Sequence, residues 1–461
     1  MSSTKVTFSS KIGLIAATVG SAVGLGNIWR FPAETQSNGG AAFLFVYILC
    51  LLILGVPVML AEFSLGRGTK SDAVGAFKKL KPNTPWWLTG GLAVLASYLI
   101  LCFYMVVAGW TFEYLWQSIT GGLYAGDTTF TGMDATFHTK MESYVGGTWN
   151  PLINVYVLIV INILVLIAGV QKGIERLSNI MMPLLFILLL IFCGVSLSLP
   201  NSGEGVKFFL TPDFSKITPS VVMNALGQAF FSLSLGMGIL ITYSSYFPRD
   251  TKLTKTAVTV SMLDLLVAVM MGLVIFPAVS SFGLDNSQLR GTTLIFVTLP
   301  EIFAQLPFTQ LWSVLFFLLL FVAALTSTIS IAEVSIAWLQ DRFKKNRVSA
   351  TLIVMLPLFL LSSLCSLSFG PLQNFKIAGL TIFELLDTVA TNIFLPIVSL
   401  LVCIFIGWVV DKKLLQNEIT NNGSLKSRLF PVIRFIIRYV APPIIFMIFL
   451  SFFIEFYRIE K

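Results

Sequence analysis

The sequence predicts an all-α polytopic membrane protein, and three observations carry that expectation. Hydrophobic residues occupy 56% of the 461 positions and charged residues only 11%, where a soluble domain carries roughly 25% charge. The apolar residues gather into eleven stretches, each long enough for the ~20 residues a helix needs to cross a bilayer. The Lys and Arg residues between those stretches fall mostly on one face. A mean hydropathy of +0.87 agrees. With one histidine, His138, the chain lacks the material for a His-rich metal centre or a His-based catalytic triad. Cys50, Cys102, Cys193, Cys365 and Cys403 all lie inside apolar runs and read as small core residues, not as a disulfide framework.

In chain order the expected spans are 12–35, 42–68, 88–121, 152–170, 176–198, 223–247, 256–283, 309–342, 349–369, 381–411 and 429–456. The opening MSSTKVTFSS is too polar for a signal peptide, so the first span is expected to stay in the mature protein. With the N-terminus in the cytoplasm, 22 of the 30 Lys and Arg residues fall on the inner side, as the positive-inside rule requires. Eleven spans then put the C-terminus outside a plasma (inner) membrane. The net charge of +8 is an orientation signal on this reading, and no nucleic-acid partner is expected. The Gly/Thr-rich segment 122–150 is expected as an outer surface loop. Segment 284–308 is too apolar for a plain linker and is expected to dip back over the outer face as a hairpin.

The first span is interrupted in its middle by Gly20-Ser21-Ala22-Val23-Gly24-Leu25-Gly26-Asn27. Each glycine weakens a helix by up to about 1 kcal/mol relative to Ala, although small residues also let membrane helices pack closely. The sixth span repeats the pattern in Ser232-Leu233-Ser234-Leu235-Gly236-Met237-Gly238. Interruptions at corresponding places in two five-span halves, 12–198 and 223–411, predict two inverted repeats with broken helices, followed by an extra helix at 429–456. Unwinding frees carbonyls for a cation and amides for an anionic group, and such backbone is tolerated in a membrane where it lines a cavity.

Ionisable groups inside spans are costly unless paired or functional. Asp264 lies deep in the seventh span beside Met262, Leu263, Leu265 and Leu266, which points to a cation or proton role. Arg30 and Asp387 sit at similar outer depth, as an ion pair or as two independent headgroup-level charges. Glu62 and Glu333, near inner ends, read as helix-stapling groups before transport groups. Glu113, near the outer end of the third span, reads as solvated. Thr326-Ser327-Thr328 lies mid-span, where back-bonding to the helix and cation binding weigh about evenly. Tyr104 and Phe231 are core aromatics by default. Neither G-x-S-x-G nor H-E-x-x-H nor a P-loop is present, so no enzyme is expected.

These residues carry a family resemblance. Gly20 through Pro32, GSAVGLGNIWRFP, followed by Asn38-Gly39-Gly40, resembles the first-helix signature of the neurotransmitter:sodium symporters. Gln228 through Gly236, QAFFSLSLG, resembles that family's sixth helix, and Leu325-Thr326-Ser327 its eighth. The match covers all eleven spans and is similar to the bacterial amino-acid transporter branch, whose shorter members also lack a twelfth span.

The resemblance implies a leucine-transporter-like fold and sodium-coupled uptake of an amino acid by alternating access. Sodium site one would take the Ala22 carbonyl with Asn27, Ser232 and Asp264; site two the carbonyls of Gly20, Val23 and Ala323 with the hydroxyls of Thr326 and Ser327. The substrate would lie among Ser21, Ala22, Ile100, Tyr104, Phe231, Ser232, Ser234, Met237, Ser327 and Ile331, its carboxylate near Tyr104 and the amides of Leu25 and Gly26. Phe231 would close over it, with Arg30 and Asp387 as outer gate. Lys5 and Asp341 would pair at the inner gate, with Phe8 beneath and Tyr246 nearby.

Three departures from the family pattern bear on function. Asp264 stands where chloride-dependent members carry Asn, which implies chloride independence, with proton countertransport left open. Gly24 stands where amine carriers place an aspartate, which favours a substrate bringing its own carboxylate. Lys5 and Phe8 replace an Arg and a Trp, and Lys lacks the bidentate fork to a carboxylate. An apolar pocket with Met237 as a deformable wall implies neutral hydrophobic L-amino acids, aliphatic or aromatic. A transport-incompetent sensor, a channel and a proton-coupled carrier remain the alternatives on this scaffold, as monomer or homodimer.

Overall fold

A computed structural model describes residues 7–125, 133–283 and 291–459. Among these, nine helices are long and apolar enough to cross a membrane, and one bent helix pair passes the same test when its two halves are taken together. Helices satisfy their own backbone hydrogen bonds, which a hydrocarbon surrounding demands. The chain is therefore a multi-pass, all-helical membrane protein.

The bent pair comes first: α1 (Lys11–Ala22) and α2 (Gly26–Ser37) meet at 54°. The Ser10 side chain caps α1 by accepting the Gly13 N–H, and Val23 ends the helix in extended backbone at φ −72°, ψ 110°. Then follow α3 (Ala41–Thr69), the short α4 (Ala73–Leu80), α5 (Trp87–Thr120), α6 (Trp149–Ile167) and α7 (Val170–Leu197). Two short helices, α8 (Pro219–Ser232) and α9 (Ile239–Ser245), flank an unwound stretch at 233–238. The chain continues through α10 (Leu253–Phe282), the short α11 (Leu294–Ala304), α12 (Thr309–Phe343), α13 (Arg347–Leu367), α14 (Ile382–Val409), α15 (Lys412–Thr420) and α16 (Phe430–Ser451).

The long helices α5 and α12 lie side by side, α1 packs against α7, α10 and α12, and α9 packs on α3. Both interruptions are central: Val23, Leu25, Leu233 and Leu235 are all buried. The five cysteines are free and buried. The structure adds detail to two loop expectations. Segment 122–150 holds a helix, Met133–Val145, because Phe137 is buried against Tyr124 with ring centroids 5.7 Å apart. The apolar segment 284–308 contributes α11, while 284–290 falls outside the described residues.

Candidate functional site

The two interruptions face and bind each other. Ser234 takes φ 54°, left-handed backbone that a non-glycine residue adopts at a cost, and its Oγ donates to the Ser21 carbonyl at 2.8 Å. Gly236 takes φ 79°; a Cβ there would lie 2.5 Å from the Leu395 carbonyl, so glycine is required twice over. Its N–H donates to Glu62 Oε1 at 2.7 Å, which ties α3 to the unwound stretch.

Asp264 lies where α2, α8 and α10 converge. Asn27 Nδ2 donates to its Oδ1 at 2.8 Å and to Ser232 Oγ at 3.0 Å. Ser232 Oγ donates to Asp264 Oδ2 at 2.7 Å, and the Tyr47 hydroxyl to the same oxygen at 3.3 Å. The carboxylate is fully buried. Among the described residues no Lys or Arg pairs with it. A buried charge without a counter-charge is expensive, and one hard carboxylate among hydroxyl, amide and carbonyl oxygens suits one small hard monovalent cation.

A second convergence lies on the other side of the first break. The Leu25 N–H donates to the Tyr104 hydroxyl at 3.2 Å. A Cβ on Gly24 would come within 2.6 Å of Ser327 Oγ and 3.1 Å of the Tyr104 hydroxyl, so α5 and α12 close onto bare backbone. Gly20 abuts Thr326, whose Cβ would lie 3.5 Å from an added Cβ. The Thr326 hydroxyl donates back to Val322 and Ala323 carbonyls at 3.2 and 3.1 Å. Ser21, Ala22, Ile100, Met237 and Ile331 are buried. The Phe231 ring, half-buried, packs over Gly26.

At one end of the bundle the Arg30 guanidinium lies over Phe231, 4.5 Å from the ring centroid, a cation–π arrangement. Arg30 and Asp387 form no ion pair within 4 Å; the Asp387 carboxylate accepts the Thr391 hydroxyl at 3.2 Å. At the opposite end Phe8 is buried against Tyr243 and Tyr246, with centroids 6.0 and 6.1 Å away. Its N–H donates to the Tyr246 carbonyl at 3.0 Å. Lys5 lies outside the described residues. Asp341 accepts the Asp72 N–H at 3.0 Å.

Several residues escaped the sequence reading. Tyr47 sits in the apolar run FLFVYILC, indistinguishable there from a core aromatic. Gln228, whose Nε2 donates to the Gly26 carbonyl at 3.1 Å, was visible as an amide inside an apolar span. Glu175 accepts from the amides of Ser9 and Ser10 at 2.8 and 3.1 Å and from their hydroxyls at 2.7 and 3.0 Å. It clamps the start of α1 to α7. Glu333 accepts the Tyr246 hydroxyl at 2.7 Å and pairs with Arg347 at 2.6 Å. Glu113, expected to be solvated, accepts instead from Asn154 and Gln117 at 2.7 and 2.6 Å, because α6 brings Asn154 onto it.

The sequence profile of the sodium:neurotransmitter symporter family matches residues 5–139 and 128–461. An uncharacterized sodium-dependent transporter of Bacillus subtilis is 37% identical over 447 residues, 97% of each chain. One of Methanocaldococcus jannaschii is 35% identical, covering 91% of this chain and 85% of that protein. The crystal structure of MhsT in complex with L-phenylalanine superposes with a TM-score of 0.87 at 40% identity, over 97% of this chain and 100% of that one. The chain belongs to the sodium:neurotransmitter symporter family, in its bacterial branch, and is a sodium-dependent transporter and not an enzyme.

Proposed function

We propose that the protein imports neutral hydrophobic L-amino acids, aliphatic or aromatic, by sodium-coupled symport with alternating access and without chloride. The observation that carries this is Asp264: a carboxylate buried among Asn27, Ser232 and Tyr47, where two broken helices meet, with no cationic side chain against it. Sodium is the co-substrate that supplies the missing charge, held with the Ala22 carbonyl. A fixed anion there removes the need for chloride. A second sodium ion is held by carbonyls of Gly20, Val23 and Ala323 with Thr326 and Ser327.

The substrate carboxylate binds at the Tyr104 hydroxyl and the amides of Leu25 and Gly26, and the side chain lies against Ile100, Met237 and Ile331. Gly24 stands where an aspartate would recognise an amine, and a side chain there would have to push aside the Ser327 hydroxyl, 2.6 Å from an added Cβ, which supports an amino acid. The phenylalanine bound to MhsT supports a hydrophobic one. In this reading residues 219–245 form an eleventh crossing, the halves 12–198 and 223–411 are inverted repeats, and the N-terminus is cytoplasmic.

The test is accumulation of radiolabelled phenylalanine by proteoliposomes under an inward sodium gradient, followed by competition with the twenty amino acids. Concentrative, sodium-dependent uptake blocked by apolar competitors is expected. Uptake that persists fully without sodium under a proton gradient overturns the coupling. Binding without accumulation makes the protein a sensor.

A further inference from the structure

We propose that a basic groove at the ends of α3, α5 and α12 holds the headgroup of an anionic phospholipid. The groove has a volume of about 1460 Å³ and runs between α4, the start of α5 and the last turns of α12. Three apolar helices end around it, which sets it at the membrane–water boundary. Its basic lining is Lys70, Lys78, Lys79, Arg342 and Lys344, against Asp72 and Asp341.

The two acids are already engaged with backbone. Asp72 Oδ1 accepts the amides of Val74 and Gly75 at the start of α4, and Asp341 accepts the Asp72 amide. Lys70 donates to the Phe247 carbonyl and Lys79 to the Thr69 carbonyl at 3.1 Å. Lys78, Arg342 and Lys344 are exposed and make no hydrogen bond or ion pair among the described residues. Three cations thus face one open groove with a positive balance, the arrangement that recognises a phosphate monoanion.

The surroundings select a lipid over a free phosphate. Trp87, 46% exposed, and Trp338 line the groove, and amphipathic indoles favour headgroup level. From there Leu88 and Leu95, 54% and 46% exposed, run up the same side of α5. Gly91 lies between them, and the position a side chain would take there has nothing within 4 Å. The result is an apolar trough that starts at the cations, as an acyl chain beneath a headgroup requires. In the orientation proposed above the lipid belongs to the cytoplasmic leaflet, but the binding itself does not depend on that orientation.

The test is native mass spectrometry of the purified full-length protein titrated with phosphatidylglycerol or with phosphatidylcholine. The wild type should retain phosphatidylglycerol selectively. The double variant Lys78→Gln/Arg342→Gln should weaken that binding about 20- to 30-fold, at the contribution expected for each basic residue near a lipid surface. Lys412→Gln/Lys426→Gln removes equal charge elsewhere and should leave binding within about two-fold. Thermal unfolding of both variants checks that they fold. Equal losses in the two variants would show a diffuse charge effect and overturn the site. Displacement of the lipid by millimolar inorganic phosphate would make the ligand a free anion and overturn the lipid assignment.

Discussion

Two buried carboxylates on the same scaffold have opposite surroundings. Glu333, near the end of α12, is fully buried and meets Arg347 at 2.6 Å and the Tyr246 hydroxyl at 2.7 Å. Arg347 in turn donates to the Leu166 carbonyl at 2.7 Å, so the protein supplies both the counter-charge and its anchoring. Asp264, equally buried, receives two hydroxyls and an amide and no cation. Burial alone therefore does not mark a transport group. At Glu333 the chain supplies the counter-charge itself, whereas at Asp264 it supplies hydrogen bonds alone, which fits the sodium ion proposed there. Glu62, bound by the Gly236 amide, belongs to the scaffold by its partner and to the site by its position.

Substitutions break this contrast in a graded order. Asp264→Asn should reduce chloride-free, sodium-driven uptake by about 100-fold or more, the cost of losing a buried charge partner. Added chloride should restore part of it, and a folded, substrate-binding variant that ignores chloride would end the charge-replacement argument. Arg347→Gln should act on stability instead. It leaves Glu333 buried and uncompensated, and the thermal midpoint should fall by roughly 5–10 °C. Sodium should still raise the midpoint of that variant in full, as binding to the native state requires, and should raise that of Asp264→Asn by less, through the second sodium ion alone. A sodium shift lost equally in both would erase the distinction.

Smaller effects sharpen the picture around the site. Tyr104→Phe removes a hydroxyl that meets the Leu25 amide and is proposed to meet the substrate carboxylate; the apparent affinity for phenylalanine should drop about 10- to 100-fold. An unchanged affinity would move the carboxylate elsewhere. Met237→Leu conserves volume and should cost less than about 1.5 kcal/mol. Its expected signature is a shift in the ratio of aromatic to aliphatic uptake, and a constant ratio would remove Met237 from the pocket wall.

The membrane class, the position of both interruptions and the presence of a carboxylate deep in an apolar span at Asp264 were legible in the chain because each is a local contrast: charge inside grease, or glycine inside helix. Asn27, Ser232 and Asp264 were grouped by resemblance and converge in space. Tyr47 and Arg347 were not legible. A tyrosine among phenylalanines and an arginine in a basic loop look ordinary in one dimension, and their roles depend on partners 217 and 14 residues away. Arg30 and Asp387 are a further case. Their similar depth is compatible with a pair or with two separate charges, and only the structure shows that Arg30 stacks on Phe231.

The sequence by itself determined the solvent of this protein and the places where its helices break, because hydropathy and backbone propensity are summed over neighbours along the chain. Tertiary structure decided which of its buried charges are neutralised. Compensation at Glu333 and its lack at Asp264 are properties of the space around a side chain, and that space is filled by segments far away in sequence.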